Sequence, residues 1–427
     1  MRPTLSSQRV RAALWAAAAI ATLSTWHAWP FVVDDAFVTF RYARNLVSGA
    51  GYGMNPGVST DGVTGPLWVV PLALAGAVGA EIPGTARALG ALLSMAAGFV
   101  LLWAMSARSG GAARWVSALF LALSGTCWVW ASAGLETGAA TFIMAVLVAS
   151  VVRRMPWWAP LVALGALPSL RPDLVPAACL LSMHARDLPR RAALGAAVFG
   201  VAAVSVWRIV MFGTPVPLSV VAKGGTLANG FAYVLSGAAL MSMGGGLYLA
   251  WRSRKRRAAR WVAAALAVHL VVIALAGGDW MPGHRLLVPM LPALALLVGW
   301  GSHGFRRVSW VTTPTFVLMA AFSLLTLHEA RGAGVGRETR GRALVQSLEA
   351  GPVALVDVGF VGWESELEVV DLGGITDPIV ARMPGDHVDR QLDVAYLESR
   401  GASVFVLHSV TQPVLRDGQV ANFVGYP

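Results

Sequence analysis

The chain has 427 residues, is 56% hydrophobic and only 13% charged, and carries a formal net charge of +11. Soluble domains carry about 25% charged residues, so this composition excludes a soluble globular protein and describes a polytopic α-helical membrane protein. The positive charge does not make a nucleic-acid surface either, because the arginines fall in short blocks between hydrophobic segments, as cytoplasmic loops do.

Arg2, Arg9 and Arg11 precede a first apolar segment that has no A-x-A-like cleavage site after it, so a retained crossing over 12–32 is expected, leading outward. A polar outer loop over 33–65 follows. Residues 66–80 (PLWVVPLALAGAVGA) hold two prolines and are short against the roughly 20 residues a span needs. They are read as a helix lying along the outer interface. Taking Arg108/Arg114, Arg153/Arg154, Arg186/Arg190/Arg191, the 252–260 block and Arg306/Arg307 as cytoplasmic markers, crossings are expected at 86–106, 115–132 and 137–152. The stretch 157–183 has basic blocks on both sides and RPD at its centre, which predicts two short helices meeting at an outer turn. Further crossings are expected at 192–212, 234–251, 261–276, 286–301 and 310–328, for eleven in all, with the C-terminus outside.

Residues 329–427 differ. They hold 14 of the 22 acidic residues and 8 basic ones. Strands are expected at 353–362, 367–374 and 402–410 and a helix at 390–400, giving a small α/β domain on the outer face. The chain therefore divides into a transmembrane domain, 1–328, and an extracytoplasmic domain, 329–427. No glycine-rich nucleotide motif is present, and Cys127 and Cys179 form neither a metal nor a disulfide pattern.

The first 328 residues contain eight acids, and this topology puts seven of them on the outer side: Asp34, Asp35, Asp61, Glu81, Glu136, Asp173 and Asp279. Acids so sparse and so placed in a membrane protein mark a reaction or transport site. Asp34 and Asp35 stand at the start of a helical run, where one can cap the helix and the other face a site. Glu136 lies at a short outer turn. Arg41, Arg171 and Lys223, the outer-face lysine in a chain with only two, are candidate phosphate binders, and Arg285 is a further candidate substrate-binding residue. Asp61, Asp173 and Asp279 complete the candidate set, with Asp279 and Arg285 open to pairing with each other.

The runs DDAFVTFRYARNLVSGAGYGMNPG, DGVTGPLW, GLET, RPD, WRIVMFG with Lys223 beyond it, GGDWMPGHRLLVPMLPAL and VDVGFVGWESELEVVDLGGITDPIVAR, in that order, resemble the bacterial terminal beta-arabinofuranosyltransferase family. The resemblance covers most of the chain, though DGVTGPLW departs from that family's usual EGYT-N-x-LW. It implies a GT-C fold and transfer of a sugar, arabinofuranose in that family, from a polyprenyl-phosphate donor. The acceptor would be a hydroxyl of a glycan, lipid or protein at the outer face of a bacterial inner membrane, in cell-envelope assembly. It also implies a base in the first outer loop, Asp34 or Asp35, with the first of the pair favoured, and a second acid at Glu136. Such an enzyme needs a carboxylate to deprotonate the acceptor and cations to hold the leaving phosphate. Arg41, Lys223 and Arg171 are expected in that second role. The mechanism needs no metal, and a divalent cation (Mg, Mn or Ca) near Asp35 and Glu136 remains the alternative. A lipid or lipid-linked-sugar transporter is the rival reading. Charges gathered at helix ends and the absence of an internal repeat weigh against it.

Overall fold

A computed structural model describes residues 7–186, 188–222, 224–303, 305–348, 350–385, 387, 390–402 and 404–406. Helix α1 (Ser7–His27) leads to α2 (Asp34–Val47), the glycine-rich loop, and α3 (Pro66–Ala77). A bundle follows: α4 (Ile82–Ser106), α5 (Gly111–Ala122), α6 (Gly125–Ala131), α7 (Thr137–Val152), α8 (Trp158–Ala166), α9 (Val175–Ser182) and α10 (Arg190–Phe212). It continues through α11 (Leu218–Ala222), α12 (Leu227–Ser242), α13 (Gly245–Arg252), α14 (Arg257–Leu275), α15 (Leu291–Gly301) and α16 (Phe305–Ser347).

Four of these helices are long and apolar enough to cross a membrane: α4, α10, α14 and α16. Two bent pairs raise the number to six, α5 with α6 at 60° and α12 with the segment Gly245–Lys255 at 84°. The five remaining expected crossings fall on α1 and on shorter helices. Among these, α7 and α15 are apolar all round and almost wholly buried, as helices at the centre of a bundle must be. Small residues let α7 approach α4 closely: a Cβ on Gly138 would run into the Gly90 backbone. The expected pair of short helices over 157–183 is present as α8 and α9, meeting at two 3₁₀ turns around Arg171 and Asp173.

Helix α3 has 12 residues, about 18 Å of helix and too short to span. It buries Trp68, Val69 and Leu72 against its neighbours and leaves Val70 and Leu74 exposed, as an interfacial helix would.

Helix α16 does not stop at 328. It runs unbroken for 43 residues to Ser347, so the expected boundary between the two parts of the chain lies inside a continuous helix. Beyond it, β1 (Val353–Leu355), α17 (Val358–Ser365), β2 (Val369–Asp371), α18 (Val394–Ser399) and β3 (Val404–Val406) build a small sheet of parallel strands in the order β2-β1-β3. The strand expected over 353–362 ends instead at Leu355, and residues 358–365 are helical. A short apolar run such as VGFVG has no periodicity to separate strand from helix, and a partner from α2 decides it. Helix α18 begins later than expected, with the Asp393 side chain accepting the Ala395 N–H at 3.0 Å. The expected strand at 402–410 is seen as β3, and its part beyond 406 lies outside the described residues.

Candidate functional site

Four chain segments bring their polar ends together on one side of the bundle: the first turn of α2, the turn before α7, the turn between α8 and α9, and the loop entering α15. Helix α2 sits directly on the turn before α7. Gly134 makes this possible: its φ is +88°, and a Cβ there would meet Phe40 and Ala36 of α2. The Gly134 carbonyl accepts from Trp68 Nε1 at 3.0 Å, tying α3 to the same turn.

Arg171 is almost completely buried and holds Asp173 in a two-pronged pair, Nε to Oδ1 at 2.9 Å and Nη2 to Oδ2 at 2.8 Å. Its Nη1 lies 3.9 Å from Glu136. Arg285 binds Asp279 through Nε at 2.5 Å and stands 4.0 Å from Asp35. Its guanidinium also lies 5.8 Å from the ring of Trp130. Arg285 is close enough to Arg171 and Glu136 to interact with each electrostatically. The result is one cluster of two guanidiniums and four carboxylates. Asp35 is its most exposed carboxylate, with 27% of its side chain exposed, followed by Asp173 at 23%, Glu136 at 15% and Asp279 at 6%; Asp173 is held by Arg171 in the two-pronged pair.

Residues that the sequence did not single out hold this cluster in place. The Tyr233 hydroxyl accepts the Leu286 N–H at 3.1 Å, and His269 bonds the Leu286 carbonyl at 2.8 Å, fixing the residue after Arg285 from two helices. A histidine inside an apolar helix was the signal available for His269. Tyr233 offered none. His284 pairs with Ser236 at 2.9 Å and packs on Tyr233, a supporting role.

Three expected site residues are elsewhere. Asp34, favoured by sequence as the base, is buried with both oxygens engaged: Oδ2 accepts the Gly359 N–H and Oδ1 the Phe360 N–H, each at 2.8 Å. It caps the first turn of α17. Burial, and next the nearby Asp357, push its carboxyl up to about 7. Arg41, expected at the phosphate, is also buried. Its guanidinium donates to the Gly362 carbonyl and, at 2.6 Å, to that of Leu367 at the other end of α17. Asp61 forms a buried ion pair with Arg208 at 2.8 Å, and Arg208 also donates to the Thr64 carbonyl at 2.9 Å. That pair pins the outer loop to α10. Lys223 lies outside the described residues.

The carboxylates of the cluster face guanidiniums, and among the described residues no three His, Cys, Asp or Glu side chains converge to hold a metal ion.

A family profile described as a domain of unknown function (DUF8728) matches residues 327–424, a stretch that begins within α16 and takes in the small sheet. No curated protein sequence matches the chain. Among solved structures, ArnT from Cupriavidus metallidurans bound to undecaprenyl phosphate is similar at a TM-score of 0.58 and 14% identity, covering 88% of this chain and 89% of that one. ArnT from the same organism in the apo state is similar at 0.56 and 14% identity, with 83% and 84% covered. The chain therefore shares its helical fold with ArnT over most of both lengths.

Proposed function

We propose that the protein is an inverting glycosyltransferase that moves a sugar from a polyprenyl-phosphate donor to a hydroxyl acceptor at the outer face of a bacterial inner membrane. The observation that carries this reading is the accessible Asp35 carboxylate set against Arg285, in one cluster with Arg171 and Glu136. The fold shared with ArnT, a protein that binds undecaprenyl phosphate, supports a lipid phosphate as the donor's leaving group. Residues 1–328 would form the transferase and residues 329–427 the extracytoplasmic part.

In this mechanism Asp35 takes the proton of the acceptor hydroxyl as its oxygen attacks the anomeric carbon. The bond from that carbon to the phosphate oxygen breaks, and the electron pair leaves with the polyprenyl phosphate. Arg285 and Arg171 stabilise the charge that develops there, in surroundings drier than bulk water, where such contacts are stronger. Glu136, Asp173 and Asp279 keep the two guanidiniums charged and aimed. This assignment moves the base from Asp34 to Asp35 and removes Arg41 from the phosphate.

The sequence resemblance makes arabinofuranose the first sugar to try. The test is incubation of purified protein in lipid nanodiscs with a panel of polyprenyl-phosphate sugars, following release of polyprenyl phosphate by chromatography. Turnover of one donor supports the reading. Movement of intact donor across a liposome bilayer, with no release of lipid phosphate, would replace it with a transporter.

A further inference from the structure

We infer that the outer segment is part of the transfer apparatus: α17 grips α2 at both ends, and Asp34 and Arg41 are positioning residues that set the place of Asp35. The inference rests on the glycosyltransferase reading above.

Asp34, Phe37, Arg41 and Arg44 recur at three- and four-residue spacing and so lie on one face of α2. Every one of them meets α17 or the residues at its ends. Asp34 takes the first free N–H groups of α17, and Arg41 takes carbonyls from its far end. Those are the charges that complement the two ends of a helix. Between them, Phe37 packs edge-on against Phe360 with centroids 5.1 Å apart. Arg44 donates to the Trp363 carbonyl at 3.1 Å and lies over its ring at 4.4 Å. The approach leaves no slack: a Cβ on Gly359 would run into the Asp34 carbonyl, and one on Gly362 into Met54 and Arg41. The outer loop is tied to the same body. The Asn55 side-chain amide pairs with the Val369 N–H and carbonyl at 2.9 and 2.7 Å, as a neighbouring strand would.

Asp35 follows Asp34 by one residue, about 100° further round α2, and faces Arg285 instead. A rigid helix held on one face therefore carries the base on another. Misplacing a reacting group by 1 Å costs about 100-fold in rate, so a loosened α2 must be read out in turnover.

The experiment compares Gly359→Ala, Asp34→Ala, Asp34→Asn and their Gly359 double variants with full-length wild type in nanodiscs. Donor turnover and hydrogen exchange across 34–47 are measured together. The expected result is a fall in kcat of about 10- to 100-fold for Gly359→Ala, with donor KM little changed and faster exchange in α2. Asp34→Asn, which keeps one acceptor oxygen, should recover part of what Asp34→Ala loses. Gly359→Ala should add little to Asp34→Ala, because each removes the same contact. Wild-type kcat and wild-type exchange in Gly359→Ala would overturn the inference. So would full loss in Asp34→Asn beside normal turnover in Gly359→Ala, which would make Asp34 the base. If wild type itself transfers nothing while α2 still loosens in Gly359→Ala, the grip stands and the glycosyltransferase reading fails, and with it the outer segment's part in transfer.

Discussion

Asp34 and Asp35 are adjacent in the chain, yet α2 turns them to different surroundings. The first accepts two N–H groups from α17 and is buried, and the second faces Arg285 with part of its surface open. Sequence could say that two neighbouring acids would divide their work, but not which did which, because the choice depends on an element more than 320 positions away. The same holds for Arg41, whose charge suggested a phosphate and whose partners are carbonyls. The pairing of Asp279 with Arg285 was open to reading because the two are six positions apart, whereas that of Arg171 with Asp173 was not read although the two are as local. Two predictions belong at this scale. Asp61→Ala leaves Arg208 buried without its carboxylate, and removing one partner of such a pair costs about 3–5 kcal/mol. A clear loss of thermal stability is expected, with kcat of the surviving folded fraction close to wild type, measured by thermal shift beside turnover. The second concerns pH. The Asp34 carboxyl is raised to about 7 by burial and by Asp357, against the pull of the Phe360 and Gly359 N–H groups and, less, of Arg337. An unfolded chain releases that proton near pH 4, so between about 4 and 7 the folded state binds more protons and its stability falls as pH rises, by a few kcal/mol at most. Thermal midpoints taken from pH 5 to 8 should therefore decline in wild type, and Asp34→Asn should flatten that slope. An equal slope in the variant would assign the effect to another group.

At the scale of elements, the apolar periods and basic blocks placed most of the helices, because burial in a bundle or in lipid demands long apolar runs. The turn around RPD and the short helix α3 were legible from the prolines and basic blocks that interrupt those runs. Helix α17 was not. Its sequence alternates glycine with bulky apolar residues, and the glycines that made it resemble a strand are there because α2 lies against them. Nor could the end of α16 be read, since its outer half is polar and helical for reasons of docking: Arg331 donates to the His27 carbonyl and Arg337 to that of Val32. The turn beneath α2 gives a prediction at this scale. Gly134→Ala puts a methyl group against Phe40 and Ala36 at a φ of +88°, a combination worth roughly 1–3 kcal/mol. A lowered melting temperature and weakened transfer are expected together, since the turn carries Glu136 and supports Asp35. A variant as stable as wild type would show that α2 does not rest on this turn.

Over the whole molecule, the described residues form a helical bundle that gathers the charged cluster at one end, and α17, which leads into the small sheet, packs against α2 at that end. The shared fold with ArnT places this architecture beyond composition alone, while the residues that would choose sugar and acceptor belong to this chain. In the proposed mechanism Asp35, and not its neighbour, removes the acceptor proton. The most direct test is kcat for Asp35→Asn and Asp34→Asn, side by side, on the polyprenyl-phosphate sugar that wild type turns over, with folding checked by thermal shift. Asp35→Asn is predicted to lose about 10²–10⁴-fold, the size of general-base catalysis, with its fold intact. Asp34→Asn should retain measurable turnover and lose stability. Transfer by Asp35→Asn at the wild-type rate would contradict the assignment of Asp35 as the base.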